Sequence, residues 1–194
     1  CSNLHSITIP TSVTSIGGSA FNECRCLRSI IIPASVTSID DSAFSGCIAL
    51  KSINVDSNNS QFASIDGILF SKNFETILCF PANHDFSSYT IPTSVTSIGN
   101  SAFLECTHLK SITIPTSVTS IGDFAFSYCL SLKSITVPTS VTSIGNSVFS
   151  GCVALQPITI PTSVTSIGNS SFIDVLIYNP SQFLQVLHQL TILI

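Results

Sequence analysis

The sequence predicts a β-rich solenoid of the α+β class, a curved stack of about seven coils that covers residues 1–175. A unit of 23 residues recurs, as the proline spacing shows, and the unit between the second and third of these prolines is longer: Pro10, Pro33, Pro92, Pro115, Pro138 and Pro161. Each unit repeats the same apolar positions. No segment this short can bury them alone, but stacked neighbours can.

Composition excludes several classes of protein. Hydrophobic residues make up 44% of the chain and charged residues 8%, whereas a disordered chain has few apolar groups and much charge. No apolar run approaches the ~18 residues of a membrane-spanning helix. The net charge is -4, with six Lys and Arg against ten Asp and Glu, whereas nucleic-acid-binding domains are basic. We therefore expect no nucleic-acid partner and no direct membrane insertion.

Each unit begins with a short strand. In the unit at residues 109–131 the apolar positions are Leu109, Ile112 and Ile114. Pro115 ends this strand, because proline has no N–H to donate to a sheet.

The rest of the unit predicts a second strand and a turn. Residues 117–121 are rich in β-branched side chains, which favour a strand. Gly122 then allows a turn without a Cβ penalty, and the close apolar spacing of residues 123–129 predicts a helical or 3₁₀ turn. Stacking should align like residues into columns, and the phenylalanine column is Phe21, Phe44, Phe103, Phe126, Phe149 and Phe172. A recurring threonine column, which includes Thr119 and Thr142, is predicted to bond backbone groups between coils.

The third unit is irregular and covers residues 50–85. Within it, residues 65–70 and 76–80 are two β-rich runs separated by a five-residue loop at 71–75. This pattern predicts a β-hairpin at about residues 64–81.

The unit pattern L-x-x-I-x-I-P-x-S-V-x-x-I-G-x-x-A-F-x-x-C resembles the BspA-like leucine-rich repeats from Leu4 to Val175. The seventh unit departs from it, with Ser171 in place of Ala and Val175 in place of Cys. The resemblance implies a leucine-rich-repeat solenoid, in which such a hairpin insertion is common. It also implies a microbial cell-surface or secreted adhesin whose partner is a protein, such as a host extracellular-matrix or cell-surface protein.

The tail, residues 176–194, departs from the repeat. Asn179 and Pro180 suit a helix start, and the apolar residues that follow have helical spacing. We expect a helix that caps the last coil. Because the chain opens within a unit and lacks an initial Met, we also expect it to be a piece of a longer protein.

Six of the eight cysteines share one column: Cys1, Cys24, Cys47, Cys106, Cys129 and Cys152. One interpretation is a ladder of disulfides or metal ligands, and the other is a row of buried, free thiols. Val175 in the same column favours buried thiols. Cys26 lies off the column and is expected to be more exposed, whereas the state of Cys79 in the insertion stays open.

No catalytic pattern is present in the sequence, such as G-x-S-x-G, H-E-x-x-H or a phosphate-binding glycine loop. A Cys106–His108 pair is conceivable, but a reactive thiolate needs an accessible site, and Cys106 is predicted to be buried. We therefore expect neither an enzyme nor a bound cofactor or metal.

The outward positions of the first strands are the candidate binding surface. Four of the six basic residues share the second position of the unit: Arg28, Lys51, Lys110 and Lys133. The fifth position adds Ile31, Asn54, Thr113 and Thr136. Like charges on strands ~4.8 Å apart are unfavourable. The basic column therefore either meets an acidic strip on a partner or keeps an edge soluble and unpaired.

The main hypothesis is a non-enzymatic binding scaffold that uses this surface, with the segment Lys72–Phe74 as the next candidate site. The alternatives are a structural spacer that presents another domain and, as a remote third, ice binding by the Ser and Thr rows.

Overall fold

In the computed structural model of this protein, residues 3–175 are described, and they form a solenoid of seven coils. We number the coils 1 to 7, and they begin at residues 4, 27, 50, 86, 109, 132 and 155. The predicted tail helix and Cys1 lie outside the described residues. All regular elements of the described chain are strands.

The first strands of the coils form two parallel sheets. They are β1 (Ser6–Thr8), β3 (Ser29–Ile32), β5 (Ser52–Val55), β9 (Ser88–Thr90), β11 (Ser111–Thr113) and β13 (Ser134–Thr136). One sheet has the order β1-β3-β5 and the other β13-β11-β9. Neighbouring coils pair in the register of the repeat, as with Ile112 and Ile135. Coil 7 lacks the expected first strand, because Pro157 stands where the other coils have a donor.

The second strands are two residues long: β2 (Ser15–Ile16), β4 (Ser38–Ile39), β10 (Ser97–Ile98), β12 (Ser120–Ile121), β14 (Ser143–Ile144) and β15 (Ser166–Ile167). Those of coils 4 to 7 pair in parallel in one sheet. The threonine after each Val supports this stacking. The hydroxyl of Thr142 donates to the carbonyl of Thr119 in the preceding coil, and that of Thr165 to Thr142, which confirms the predicted role of this column.

The segment after the second strand is a run of hydrogen-bonded turns, so the predicted helical turn is wrong. In coil 5, Phe124 and Tyr128 have φ values of 56° and 57°, which a right-handed helix does not allow. The N–H of Ser127 donates within the coil, to Phe124, whereas the N–H of Phe126 donates to Val148 of the next coil at 3.0 Å. N–H groups that donate to the next coil alternate with N–H groups that donate three residues back within the coil, so neither the predicted helical turn nor a 3₁₀ run forms.

The insertion has three antiparallel strands, one more than predicted: β6 (Phe62–Ile65), β7 (Ile68–Ser71) and β8 (Thr76–Cys79). The run predicted as one strand at 65–70 contains a two-residue turn. Asp66 and Gly67 have φ values of 52° and 77°, typical of the primed turns that join tight hairpins. The loop between β7 and β8 covers residues 72–75, one residue fewer than predicted, because Ser71 belongs to β7. β8 pairs in parallel with β10 as the second strand of coil 3.

The β6–β7 hairpin separates two hydrophobic cores. Phe62 and Leu69 are buried with coils 1 to 3, whereas Ile68 and Phe70 are buried with coils 4 to 7. Successive residues of a strand point to opposite faces, so both faces of β7 are covered. The hairpin is thus a wedge within the stack.

The phenylalanine column is confirmed and runs in two stretches. The rings of Phe21 and Phe44 are 5.6 Å apart and parallel within 3°. Beyond the wedge, stacked rings 5.1 to 5.8 Å apart continue along the core: Phe80, Phe103, Phe126, Phe149 and Phe172. Like residues therefore form continuous interior rows.

The recurring glycine has a different cause from the predicted turn. Gly122 is not among the described glycines with a positive φ. A Cβ placed on it would lie 2.5 Å from Oδ1 of Asn100 and 2.7 Å from its N. The close approach of the preceding coil is what requires glycine here.

Candidate functional site

The four basic residues of the predicted site lie on one edge of the first-strand face. Just before the strands, the N–H of Lys51 donates to the carbonyl of Arg28 at 2.8 Å, and that of Lys133 to Lys110 at 2.9 Å. The side chains therefore leave neighbouring coils from adjacent backbone positions. All four residues are exposed, so the expected column exists.

The insertion divides this basic column into two pairs. Arg28 and Lys51 lie before the wedge, and Lys110 and Lys133 lie after it. Nζ of Lys51 lies 2.8 Å from a carboxylate oxygen of Asp85, and this Lys51 hydrogen bond lowers the pKa of the Asp85 carboxyl. Within residues 3–175, no carboxylate forms an ion pair with the other three column members.

The fifth-position residues lie in a second row beside the basic column. Thr113 pairs in register with Thr136, and Ile31 with Asn54. All four are exposed, and Ile31, at 62%, is the most exposed of the large hydrophobic side chains that the structure describes.

The tip of the wedge adds residues that the sequence analysis missed. The carbonyl of Gly67 accepts from the N–H of Ile53 at 2.8 Å, so the tip lies beside β5, where the next coil would otherwise pair. The His84 ring bonds the Asp66 carbonyl at 2.8 Å. Asp-Gly is a pair typical of tight hairpin turns, so residues 66–67 of the sequence could have predicted this turn.

Acidic residues concentrate on a different side of the coils. Six of the ten follow the second strands, in or next to the turn segments: Glu23, Asp40, Asp41, Glu105, Asp123 and Asp174. The stack therefore has a basic row on its first-strand face and acidic groups on its turn side.

The family model of the BspA-type leucine-rich repeat region matches residues 1–81 and 77–182, with six copies. The chain belongs to this family.

Solved structures agree with the assignment to the BspA-type family. A leucine-rich cell surface protein of Faecalibacterium prausnitzii is 31% identical, with a TM-score of 0.75 over 89% of this chain and 52% of the other. The pneumococcal vaccine antigen PcpA is 24% identical, with a TM-score of 0.72 over 88% and 55%, a likeness of fold alone. No curated protein matches the chain. This BspA-type chain spans about half the length of these two solved chains.

The BspA-type array also has an open groove of about 620 Å³ along the second strands of coils 4 to 7. A ladder of side chains forms one wall. Asn100 Oδ1 accepts from the N–H of Asp123, whose Oδ1 accepts from the N–H of Asn146. The amide of Asn100 bonds Asp41 at 2.8 Å. These polar groups bond one another, so the ladder stabilises the stack.

The column cysteines that the structure describes are buried, as the interpretation of this column as a row of buried thiols predicts. They are free cysteines: Cys24, Cys47, Cys106, Cys129 and Cys152. The Sγ atoms of Cys129 and Cys152 donate to the carbonyls of Phe103 and Phe126, both at 3.0 Å. Burial raises the pKa of Cys47 to about 11.

The two cysteines off the column differ in their surroundings. Cys26 is more exposed than the column cysteines, as expected. Cys79 packs against the core of coils 1 to 3, and burial raises its pKa to about 12.

Two other classes of site are not seen in the described part of the BspA-type chain. Within residues 3–175, no three His, Cys, Asp or Glu side chains are grouped to hold a metal ion. The same part of the chain contains no helix with the length and hydrophobicity of a membrane span.

Proposed function

We propose that this chain is a non-enzymatic binding module of a bacterial cell-surface or secreted protein, and that its first-strand face attaches to a protein partner. Family membership supports a repeat scaffold, and one solved relative is named a cell surface protein. An adhesin that attaches to host matrix or host cells is the specific form of this proposal.

The observation that most directly supports the site is the placement of charge. The chain has six basic residues, and four of them lie on one exposed edge: Arg28, Lys51, Lys110 and Lys133. Neighbouring like charges raise the energy of the free protein, and an acidic partner would relieve this repulsion. Weak contacts repeated from coil to coil would then add up.

Two charge-matched variants test the proposal. Lys110→Ser with Lys133→Ser removes two charges from the column, and Arg25→Ser with Lys72→Ser removes two from elsewhere. Binding of the labelled protein to cultured epithelial cells and to decellularised matrix is measured at several salt concentrations. We expect the column variant to bind more weakly and with a flatter salt dependence, and the control to bind like the original. Equal loss in both variants would contradict the site.

If the control variant binds more weakly and the column variant binds normally, the segment Lys72–Phe74 is the next candidate. Lys72 is exposed there, and its Nζ lies 3.4 Å from the Ser57 carbonyl. The Phe74 ring is partly buried against the core and 5.7 Å from the Phe70 ring. This segment therefore offers one charge and little apolar surface.

A spacer that presents another domain is the second candidate function. The sheet that runs without a break from the insertion to coil 7 supports it, because a continuous sheet resists bending. A spacer would show no binding in either assay above that of an unrelated repeat protein.

A further inference from the structure

The first-strand face has exposed apolar side chains near its middle and a basic pair on each side of the insertion. Three exposed hydrophobic side chains belong to coils 2 to 4 and the insertion: Ile31 is 62% exposed, Ile65 47% and Phe86 39%. Ile65 and Phe86 lie between the pairs Arg28/Lys51 and Lys110/Lys133, whereas Ile31 shares coil 2 with Arg28.

Ile31 and Ile65 lie on the two sides of β5, Ile31 on β3 and Ile65 on the insertion. Ile31 pairs in register with Asn54 on the next strand. The N–H of Ile53 donates to Gly67, and that of Val55 to the hydroxyl of Ser64 at 3.0 Å. The wedge tip therefore runs beside β5. Ile65 pairs with Ile68, which is buried with coils 4 to 7, so the Ile65 side chain lies on the coil 4 side of the hairpin.

Phe86 lies on the other side of the tip and is fixed by His84. The Phe86 N–H lies 3.2 Å from Nδ1 of His84 and can only donate, so Nδ1 accepts. Nε2 then has the proton and donates to the carbonyl of Asp66. The two rings are 4.3 Å apart. The histidine thus joins the phenyl ring to the wedge tip.

Asp85 forms an ion pair with Lys51, one of the basic residues of the face. Its carboxylate bonds Lys51 at 2.8 Å, while both side chains remain more than half exposed, at 80% and 51%. A partner carboxylate would make the same contact, and Asp85 competes with it.

We infer that this face binds an extended polypeptide segment with apolar residues in its middle and acidic residues on both sides. The inference rests on the proposed function and specifies its partner. Burial of apolar surface on both molecules contributes to binding, and the exposed isoleucines and phenyl ring supply that surface here. A sulfated polysaccharide would match the basic ends but would offer no such apolar groups.

Two synthetic peptides test this inference. One is a 12-residue peptide with four Glu at each end and four Thr between them, and the other has two alternate Thr of the middle replaced by Leu, so that both Leu point to the same face as alternate Glu. Fluorescence anisotropy measures the affinity of the full chain for each. We expect the Leu peptide to bind about tenfold more tightly, the effect of burying part of two leucines.

Two protein variants test whether Ile65 and Phe86 cause the tighter binding of the Leu peptide. Ile65→Ser with Phe86→Ser should remove the preference for the Leu peptide and leave the Glu–Thr peptide unaffected. The matched control is Leu130→Ser with Val153→Ser, a pair on another part of the coils that is 44% and 41% exposed; it should keep the preference. Asp85→Asn should increase the affinity for both peptides, because it removes the ion pair of Lys51.

The outcomes separate the two proposals. If both peptides bind equally well, and Lys110→Ser with Lys133→Ser abolishes this binding, the inference of an apolar middle is wrong. The proposal that the basic face binds a partner is then retained. A heparin fragment that competes as strongly as the Leu peptide would also overturn the polypeptide assignment. If neither peptide binds, the proposed function of this face fails, and the inference fails with it.

Discussion

The Phe80 ring stacks on the Phe103 ring at 5.1 Å, although Phe80 belongs to the insertion and has none of the repeat motif around it. Its N–H donates to the Ala102 carbonyl at 2.7 Å, as the N–H of Phe103 donates to Ala125. Phe80 therefore takes the place of the column phenylalanine in coil 3.

Phe80→Ala should destabilise the protein as strongly as Phe103→Ala, because both rings are almost fully buried. We expect a loss of about 3–5 kcal/mol in the free energy of unfolding for each, as for other buried phenylalanines. Urea unfolding followed by circular dichroism measures it. Phe124→Ala, at a 46% exposed position, is the control, and a Phe80 effect no larger than this control would contradict the assignment.

Two glycines at the same repeat position should respond differently to alanine. A Cβ at Gly122 would lie 2.5 Å from Asn100 Oδ1, whereas one at Gly17 meets nothing within 4 Å. Gly122→Ala should cost about 1–3 kcal/mol through overpacking. Gly17→Ala should be neutral or stabilise by up to about 1 kcal/mol, because alanine restricts the unfolded chain. Thermal melts of the two variants compare them, and similar shifts would show that close approach is not the cause.

Asp123→Ala should weaken the side-chain ladder, and Asp123→Asn should preserve it. The Asp123 carboxylate accepts from the N–H and the side-chain amide of Asn146, at 2.7 and 3.1 Å. Asparagine keeps an acceptor and is the residue found at this position in the neighbouring coils. We expect alanine to cost about 0.5–1.5 kcal/mol, the usual net value of a hydrogen bond. Urea midpoints that fall equally in both variants would mean that charge, rather than the ladder, matters at this site.

Native-state alkylation should modify Cys26 and spare the column cysteines. The thiolate is the reactive form. Burial raises the pKa of Cys47 and Cys129, so at pH 8 their thiols stay protonated as well as covered. In a Cys1→Ser background, mass spectrometry after iodoacetamide treatment should show one modified cysteine, and all of the remaining cysteines after unfolding in guanidinium. Rapid labelling of Cys129 in the native protein would contradict its burial.

The sequence predicted what the 23-residue period determines. Columns such as Phe126 over Phe149, the strand of residues 111–113 and the adjacent Lys110 and Lys133 all follow from identical residues that occupy identical places in successive coils. The turn after the second strand did not follow. Its backbone depends on donors in the next coil, so the helical spacing of Ala125 and Cys129 was misleading.

The insertion was only partly predictable, because it occurs once and no column constrains it. The consecutive apolar residues Ile68, Leu69 and Phe70 are consistent with a strand that is buried on both faces, but nothing in the sequence shows which coils cover the two faces. The contacts of Asp85 with Lys51 and of His84 with Asp66 join residues from different parts of the long unit, and nothing in the period places them together. The contact with Asp85 pairs the charge of Lys51, one member of the basic column.

The wedge also has a mechanical consequence. Beyond it, the second strands join in one continuous sheet, whereas β4 pairs only with β2. On the turn side, side chains bridge coils 2 and 4, through Glu105 to the N–H of Gly46 and through Asn100 to Asp41. Because the first-strand sheet β1-β3-β5 also ends at the hairpin, the hairpin is the weakest plane of the stack. Under load, as on a molecule held at one end and pulled at the other, we expect the stack to part beside the hairpin before coils 4 to 7 part from one another.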